Sequence, residues 1–186
     1  MRRYTMQNLV EKEIDSKKVF AGKLLHVYSD SVELPNGHTS TREYIKHVGA
    51  ACVVPVDEQG NVIIEKQYRY PFHAVLTEIP AGKLDSKEEP HLQAALRELQ
   101  EETGYTAENM IYLGEFYPTC AYSDEIIHMY LATGLSQGKQ NLDDDEFVGV
   151  EKVPLTTLVE KIMNGEIKDG KTQTALLKAY LYLQRQ

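Results

Sequence analysis

Three glutamates, Glu98, Glu101 and Glu102, stand at spacings i, i+3 and i+4 inside the periodic run Leu92–Thr103. At about 100° per residue a helix carries them on one face. Leu92, Ala95, Leu96 and Leu99 fall on a different arc, which can meet a core. Three like charges along one edge repel one another. Arg97 offsets part of that charge, and a divalent cation, for which carboxylate oxygens are hard ligands, offsets the rest. Taken alone the pattern also fits a solvated helix face, because glutamate is a good helix former and usually exposed.

The residues before the helix sharpen the chemical reading. Ile79-Pro80-Ala81-Gly82-Lys83 forms a tight loop whose backbone can approach a ligand closely, since Gly82 has no side chain. Pro90 suits a helix start and Gly104 its end.

The elements that must position this helix can be read along the chain. Residues 1–46 read as a meander of strands, forming an N-terminal antiparallel arm, and residues 47–186 as the main domain. Pro35-Asn36-Gly37 is a hairpin turn between Leu24–Leu34 and Thr39–His47, because Asn-Gly tolerates positive φ. Ala50–Val56 is a continuous apolar run that fits a buried strand, followed by a turn at residues 57–61 and a strand at Val62–Gln67. Ile111–Tyr117 and Ile126–Ala132 read as strands, Asp143–Glu146 as an acidic loop, and Thr156–Met163 and Thr174–Leu183 as helices. Strands and helices alternate without regular βαβ spacing, which predicts an α/β chain with a mixed sheet packed between helices.

Composition excludes other classes. A chain of 186 residues with 42% apolar and 26% charged residues builds its own core without disulfides or structural metal. No apolar run approaches the roughly 18–20 residues of a membrane span, and the basic N-terminus lacks the apolar stretch of a signal peptide. Cys52 and Cys120 form no C-x-x-C pair, so a zinc or redox motif is not expected and a reducing cytoplasm is. A net charge of −8 argues against a duplex-DNA partner but suits cations that meet phosphates.

The box Arg97-Glu98-Leu99-Gln100-Glu101-Glu102-Thr103-Gly104-Tyr105, with Gly82 and Glu88 or Glu89 before it, resembles the signature of the Nudix hydrolases. The second half matches position by position, with Tyr105 a loose fit. The first half is one residue too long: Glu88 leaves eight residues before Arg97, whereas Glu89 leaves seven. The extra residue is expected around Lys87–His91. The resemblance implies a Nudix fold and metal ligation by Glu98, Glu102 and the backbone carbonyl of Ala81. It also implies that Glu101 is a metal-associated carboxylate or base and that Arg97 orients these groups. Mg²⁺, or Mn²⁺, is the implied cofactor.

The likeness extends beyond the box to the bacterial ADP-ribose pyrophosphatases. It rests on Arg42-Glu43, Gln67-Tyr68-Arg69-Tyr70, Glu78-Ile79-Pro80-Ala81-Gly82-Lys83, Ser123-Asp124-Glu125 and Asp143-Asp144-Asp145-Glu146-Phe147. By position Glu146 resembles a further metal ligand, and Asp144 stands where that family more often has its basic glutamate. Arg69 would meet the diphosphate, and Arg42 and Glu125 the substrate, with a surface ion pair the plain alternative for either arginine. The base stays open among Glu101, Asp144 and Glu146. The implied reaction is attack of water on a diphosphate phosphorus, giving AMP and ribose 5-phosphate from ADP-ribose, in a homodimer built through the N-terminal arm. One departure stands out: Cys120 occupies the place of the family's usual proline, with Pro118 two residues earlier. Pyrophosphatases of another sugar nucleotide or a dinucleotide, and a catalytically silent nucleotide sensor, are the alternatives.

Other signals are discounted. Gly165-Glu166-Ile167-Lys168-Asp169-Gly170-Lys171-Thr172 matches the P-loop pattern literally, but a helix precedes it and few residues follow, so it reads as a glycine turn before the last helix. No histidine pair has the i, i+4 spacing of a helical metal site. Cys120 reads as buried packing, and Tyr68, Tyr70, Tyr117 and Tyr122 as core or interface aromatics rather than base-stacking groups.

Overall fold

The computed structural model describes residues 9–142 and 146–185. The chain divides into two compact units, one reaching to His47 and including Thr119–Glu125, the other formed by Val48–Pro118 and the chain from Ile126 onward.

The first unit is an antiparallel sheet of β1 (Lys12–Ala21), β2 (His26–Glu33) and β3 (Thr39–Ile45), in the order β1-β2-β3. The β2–β3 hairpin closes where the turn chemistry expects it. Gly37 sits at φ 82°, its N–H donates to the Leu34 carbonyl at 2.8 Å, and Asn36 Oδ1 accepts from His38 N–H at 3.0 Å.

The second unit is built on β4 (Ala50–Pro55), every residue of which is buried. A strand covered on both faces needs an unbroken apolar run, which is why periodicity vanishes there. In the sheet β7-β4-β9-β8, β4 runs parallel to β9 (Ile127–Gln137) and antiparallel to β7 (Ala81–Lys83), and β9 pairs antiparallel with β8 (Tyr105–Phe116). Ala51 and Val53 face a core shared with Ala94, Ala95 and Leu99 of α1 (His91–Thr103). Cys52 and Val54 face the opposite core, with Leu158 of α2 (Leu155–Met163) and Leu176 of α3 (Gly170–Leu183). The mixed sheet therefore lies between α1 and the α2/α3 pair, as expected. A second sheet, β10-β5-β6, joins β5 (Asn61–Arg69) to β6 (Ala74–Glu78) and β10 (Val148–Pro154). The turn into β5 is set by Asp57, whose Oδ1 accepts from the N–H groups of Gln59 and Asn61 at 3.0 and 2.9 Å.

Several expectations are corrected. Leu92 is exposed although periodicity sets it on the arc of Ala95 and Leu99; it stands in the first turn of α1, and the buried stripe starts at Ala94. Cys120 is exposed rather than packed. Tyr68, Tyr70, Tyr117 and Tyr122 are all more than half exposed, so none is core. Pro90 is the cap residue of α1 rather than its first helical residue. The segment 165–172 follows α2: Gly165 turns the chain at φ 74°, and Gly170, Lys171 and Thr172 are already the first residues of α3 rather than a turn before it.

Candidate active site

The last turns of α1 bring Glu98 and Glu102 inward. Both are buried, at 9% and 3% exposure, and so lie on the protein side of the helix rather than on a solvated face. Glu101, one position away from Glu102, keeps its side chain 39% exposed. The loop from β6 into β7 passes across these carboxylates. The Ala81 N–H donates to Glu102 Oε2 at 2.8 Å. A methyl group on Gly82 would stand 1.9 Å from the Glu98 carboxyl carbon, so only glycine allows this approach.

Arg97 gathers the acidic side chains. Its Nη1 donates to Glu98 Oε1 at 2.7 Å and to Glu101 Oε2 at 3.2 Å, and its Nη2 to the Lys83 carbonyl at 3.2 Å. Both Nε and Nη2 lie 3.4 Å from Glu89 Oε1. Glu89, not Glu88, therefore meets the arginine, and its other oxygen accepts from the Asp85 N–H at 2.6 Å. That contact keeps seven residues between Glu89 and Arg97 and places the extra residue between Gly82 and Glu89.

Behind the loop lies a second charged group that sequence reasoning missed. Glu65 and Glu78 are opposed across β5 and β6, and each is 2% exposed. Arg69 holds Glu78 through two bonds of 2.7 Å, and Lys171, from α3, pairs with the same carboxylate. These cations outweigh burial and hold Glu78 below its ordinary pKa. Glu65 has no such bond, and its Oε1 is buried without a partner. Burial, with Glu78 and Glu146 adding repulsion, pushes its carboxyl up to about 8. Burial and then the charge of Glu65, followed by Glu98 and Glu146, push Glu102 up to about 9. Burial likewise raises Glu98 in spite of Arg97.

Of the site residues named from the sequence, Ala81, Arg97, Glu98, Glu101 and Glu102 are brought together. Glu146 repels Glu65, Glu98 and Glu102 from the end of the acidic loop. The approach to that loop is pinned to the end of α1: the Gly138 N–H donates to the Gly104 carbonyl at 2.7 Å and the Asn141 N–H to the Glu101 carbonyl at 2.9 Å. Asp144 lies outside the described residues. Arg69 is committed to Glu78. Arg42 and Glu125 belong to the first unit, where Arg42 pairs with Glu11 and Glu125 stands 3.7 Å from His47.

Residues 46–173 match the NUDIX domain family, and residues 11–45 match the nucleoside diphosphate sugar hydrolase N-terminal domain. The chain belongs to the Nudix family. It is 44% identical to an ADP-ribose pyrophosphatase of Bacillus subtilis over 92% of this chain and 93% of that protein. It is 43% identical to a methanol dehydrogenase activator of Bacillus methanolicus over 94% of each. A crystal structure of an ADP compounds hydrolase superposes with a TM-score of 0.83 at 20% identity, covering 94% of this chain and 95% of that one, which shows the shared Nudix fold.

Nudix hydrolases generally use a divalent metal, and the donor set here fits one. The available groups are carboxylate and carbonyl oxygens, the hard ligands of Mg²⁺ and Mn²⁺. Glu65 Oε1 is buried and unpartnered, and the charges of Glu65 and Glu98 add to burial in raising Glu102, an excess of buried negative charge that a cation relieves. Among the described residues no group of three His, Cys, Asp or Glu side chains is poised to hold a metal as it stands. Arg97 draws Glu98 and Glu101, and the Ala81 amide draws Glu102.

Proposed function

We propose that this chain hydrolyses the diphosphate of a nucleoside diphosphate linked to a sugar, with ADP-ribose its preferred substrate and AMP and ribose 5-phosphate the products. The observation that carries the reading is the buried pair Glu98 and Glu102 set against the Gly82 loop in a chain whose two parts match the two domains of nucleoside diphosphate sugar hydrolases.

In this reading Glu98, Glu102, Glu146 and the Ala81 carbonyl hold Mg²⁺, with Mn²⁺ able to replace it. Bound there, the cation offsets the negative charge that develops on the diphosphate oxygens. Arg97 bridges Glu98 and Glu101 through one nitrogen and orients both carboxylates. Glu101, the most exposed of the three helix carboxylates, takes the proton of the attacking water, with Asp144 and Glu146 the competing bases. Arg69 supplies a cation to the diphosphate from its place on Glu78, and Arg42 and Glu125 keep substrate-contacting roles on the resemblance alone. The enzyme is read as a homodimer: β1 exposes Ile14, Val19 and Phe20, an apolar surface that a second copy would cover. Sedimentation as a monomer at micromolar concentration would count against the dimer.

A second specificity, for another sugar nucleotide or a dinucleotide, is favoured by one feature, the exposed Cys120 where the ADP-ribose group has proline. A substrate panel decides. ADP-ribose, GDP-mannose, NADH and a dinucleoside polyphosphate are each incubated with Mg²⁺ or EDTA and the products separated by chromatography. Fastest release of AMP and ribose 5-phosphate from ADP-ribose supports the reading. Faster cleavage of another diphosphate moves the substrate, and no cleavage at all favours a silent nucleotide sensor.

A further inference from the structure

Lys171 and Thr172 close the glycine-bounded motif that the proposed reaction leaves unused, and both are buried, at 9% and 0% exposure. They open α3, whose cap is Asp169. Asp169 Oδ2 accepts from the Thr172 N–H at 2.9 Å, the Thr172 hydroxyl at 2.6 Å and Lys171 Nζ at 3.0 Å. With its proton given to Asp169, Thr172 Oγ1 is free to accept, and it takes the Ile79 N–H at 3.1 Å. Lys171 pairs with Glu78, the residue before Ile79.

This contact completes the restraint of the segment that enters the glycine loop. The Ile79 amide is held by Thr172 of α3. Pro80 has no N–H, and its carbonyl accepts from Val53 of β4 at 2.9 Å. The Ala81 amide is held by Glu102 of α1. Two peptide groups, 78–79 and 80–81, are thus fixed from three different elements, immediately ahead of the peptide that carries the Ala81 carbonyl. Apolar packing by Ala175, Leu176 and Ala179 already docks α3 on the core. A buried lysine and threonine with a half-buried aspartate add little to docking, because desolvation of the charges cancels much of their attraction. They do fix direction, as polar groups behind a metal site generally do.

We propose that Lys171 and Thr172 are positioning residues of the pyrophosphatase site, acting through Glu78 and the Ile79 amide to set where the Ala81 carbonyl stands relative to Glu98 and Glu102. The inference rests on the functional reading above. It makes the start of the last helix part of the machinery, at 93 residues' remove from the segment it holds.

The test compares Thr172→Val and Thr172→Ser in the full chain. Three quantities are read: kcat and KM for ADP-ribose at saturating Mg²⁺, Mn²⁺ affinity of the protein alone by electron paramagnetic resonance, and the melting temperature. Thr172→Val is expected to lower kcat about tenfold and weaken Mn²⁺ binding about tenfold, with KM little changed, and Thr172→Ser to restore both. A Thr172→Val protein that melts earlier yet keeps wild-type kcat and Mn²⁺ affinity would overturn the proposal. If that variant does not fold, Lys171→Met against Lys171→Arg carries the same comparison and the same criteria. Wild-type protein that neither cleaves ADP-ribose nor binds Mn²⁺ would instead refute the reading of the site itself, so the two failures are distinguishable.

Discussion

The Ala81 amide donates to Glu102 Oε2 at 2.8 Å across 21 residues of sequence, tying the strand that opens the glycine loop to the last turn of the carboxylate helix. The loop and the helix therefore form one rigid corner. The backbone of Gly82 then passes so near Glu98 that no side chain fits between them.

Gly82→Ala tests that corner. Its φ is not in the left-handed region, so alanine is not excluded by backbone conformation. The added methyl meets the Glu98 carboxylate at 1.9–2.3 Å and must push it or the loop aside. Turnover is expected to fall at least about a hundredfold while circular dichroism stays that of a folded protein. Near-normal turnover would show that the loop and helix can separate without cost to the site.

Glu65 is the buried carboxylate whose Oε1 has no partner. Replacing it with methionine, of similar length and apolar, removes an unsatisfied buried group. Glu65→Met is expected to stabilise the metal-free protein by about 1–3 kcal/mol in urea unfolding. It is also expected to weaken Mg²⁺ binding by removing nearby negative charge. A variant less stable than wild type in EDTA would mean that Glu65 serves Lys171 and Arg69 as a counter-ion more than it burdens the core.

The same groups set a pH dependence. In the metal-free protein Glu65 and Glu102 titrate above the ordinary value of 4.5, near 8 and 9, chiefly through burial. Their folded pKa values exceed the unfolded ones, so folding takes up protons between these limits. The stability they contribute is complete below about pH 4.5 and is lost as pH rises through the folded values. Melting temperature in EDTA, measured from pH 5 to 9 on wild type and Glu65→Met, gives the share of Glu65 together with its coupling to Glu102 as the difference between the two curves. Wild type is expected to lose stability relative to the variant as pH rises, and Mg²⁺ to reduce that loss because it binds the ionised carboxylates. Parallel curves in EDTA would contradict the assignment.

The sequence showed α1 clearly, because its apolar spacing, Pro90 and Gly104 all pointed to one helix, and it showed β4 because burial on both faces removes alternation. It placed β1, all of whose residues are exposed, only within a strand meander without bounds, and it did not show β10, whose pattern is mostly exposed. Neither strand carries a burial period to read. The box residues were legible as a motif. The Glu65, Glu78 and Lys171 cluster was not, since it exists only through the β5–β6 register and a contact spanning 93 residues. Gly165–Thr172 follows helix α2 rather than the strand that a phosphate loop needs, and its lysine and threonine are buried polar groups that no local pattern could assign.

In the proposed function hydrolysis depends on a cation held by the inward glutamates of α1. The direct measurement is ADP-ribose turnover by wild type and Glu102→Gln, each with Mg²⁺ and with EDTA. Glutamine keeps an oxygen that can accept the Ala81 N–H, so the corner is retained while the charge is lost. Wild type is expected to cleave ADP-ribose with Mg²⁺ and not with EDTA, and the variant to lose at least about a hundredfold in turnover. Unchanged metal-dependent turnover by Glu102→Gln would contradict that dependence.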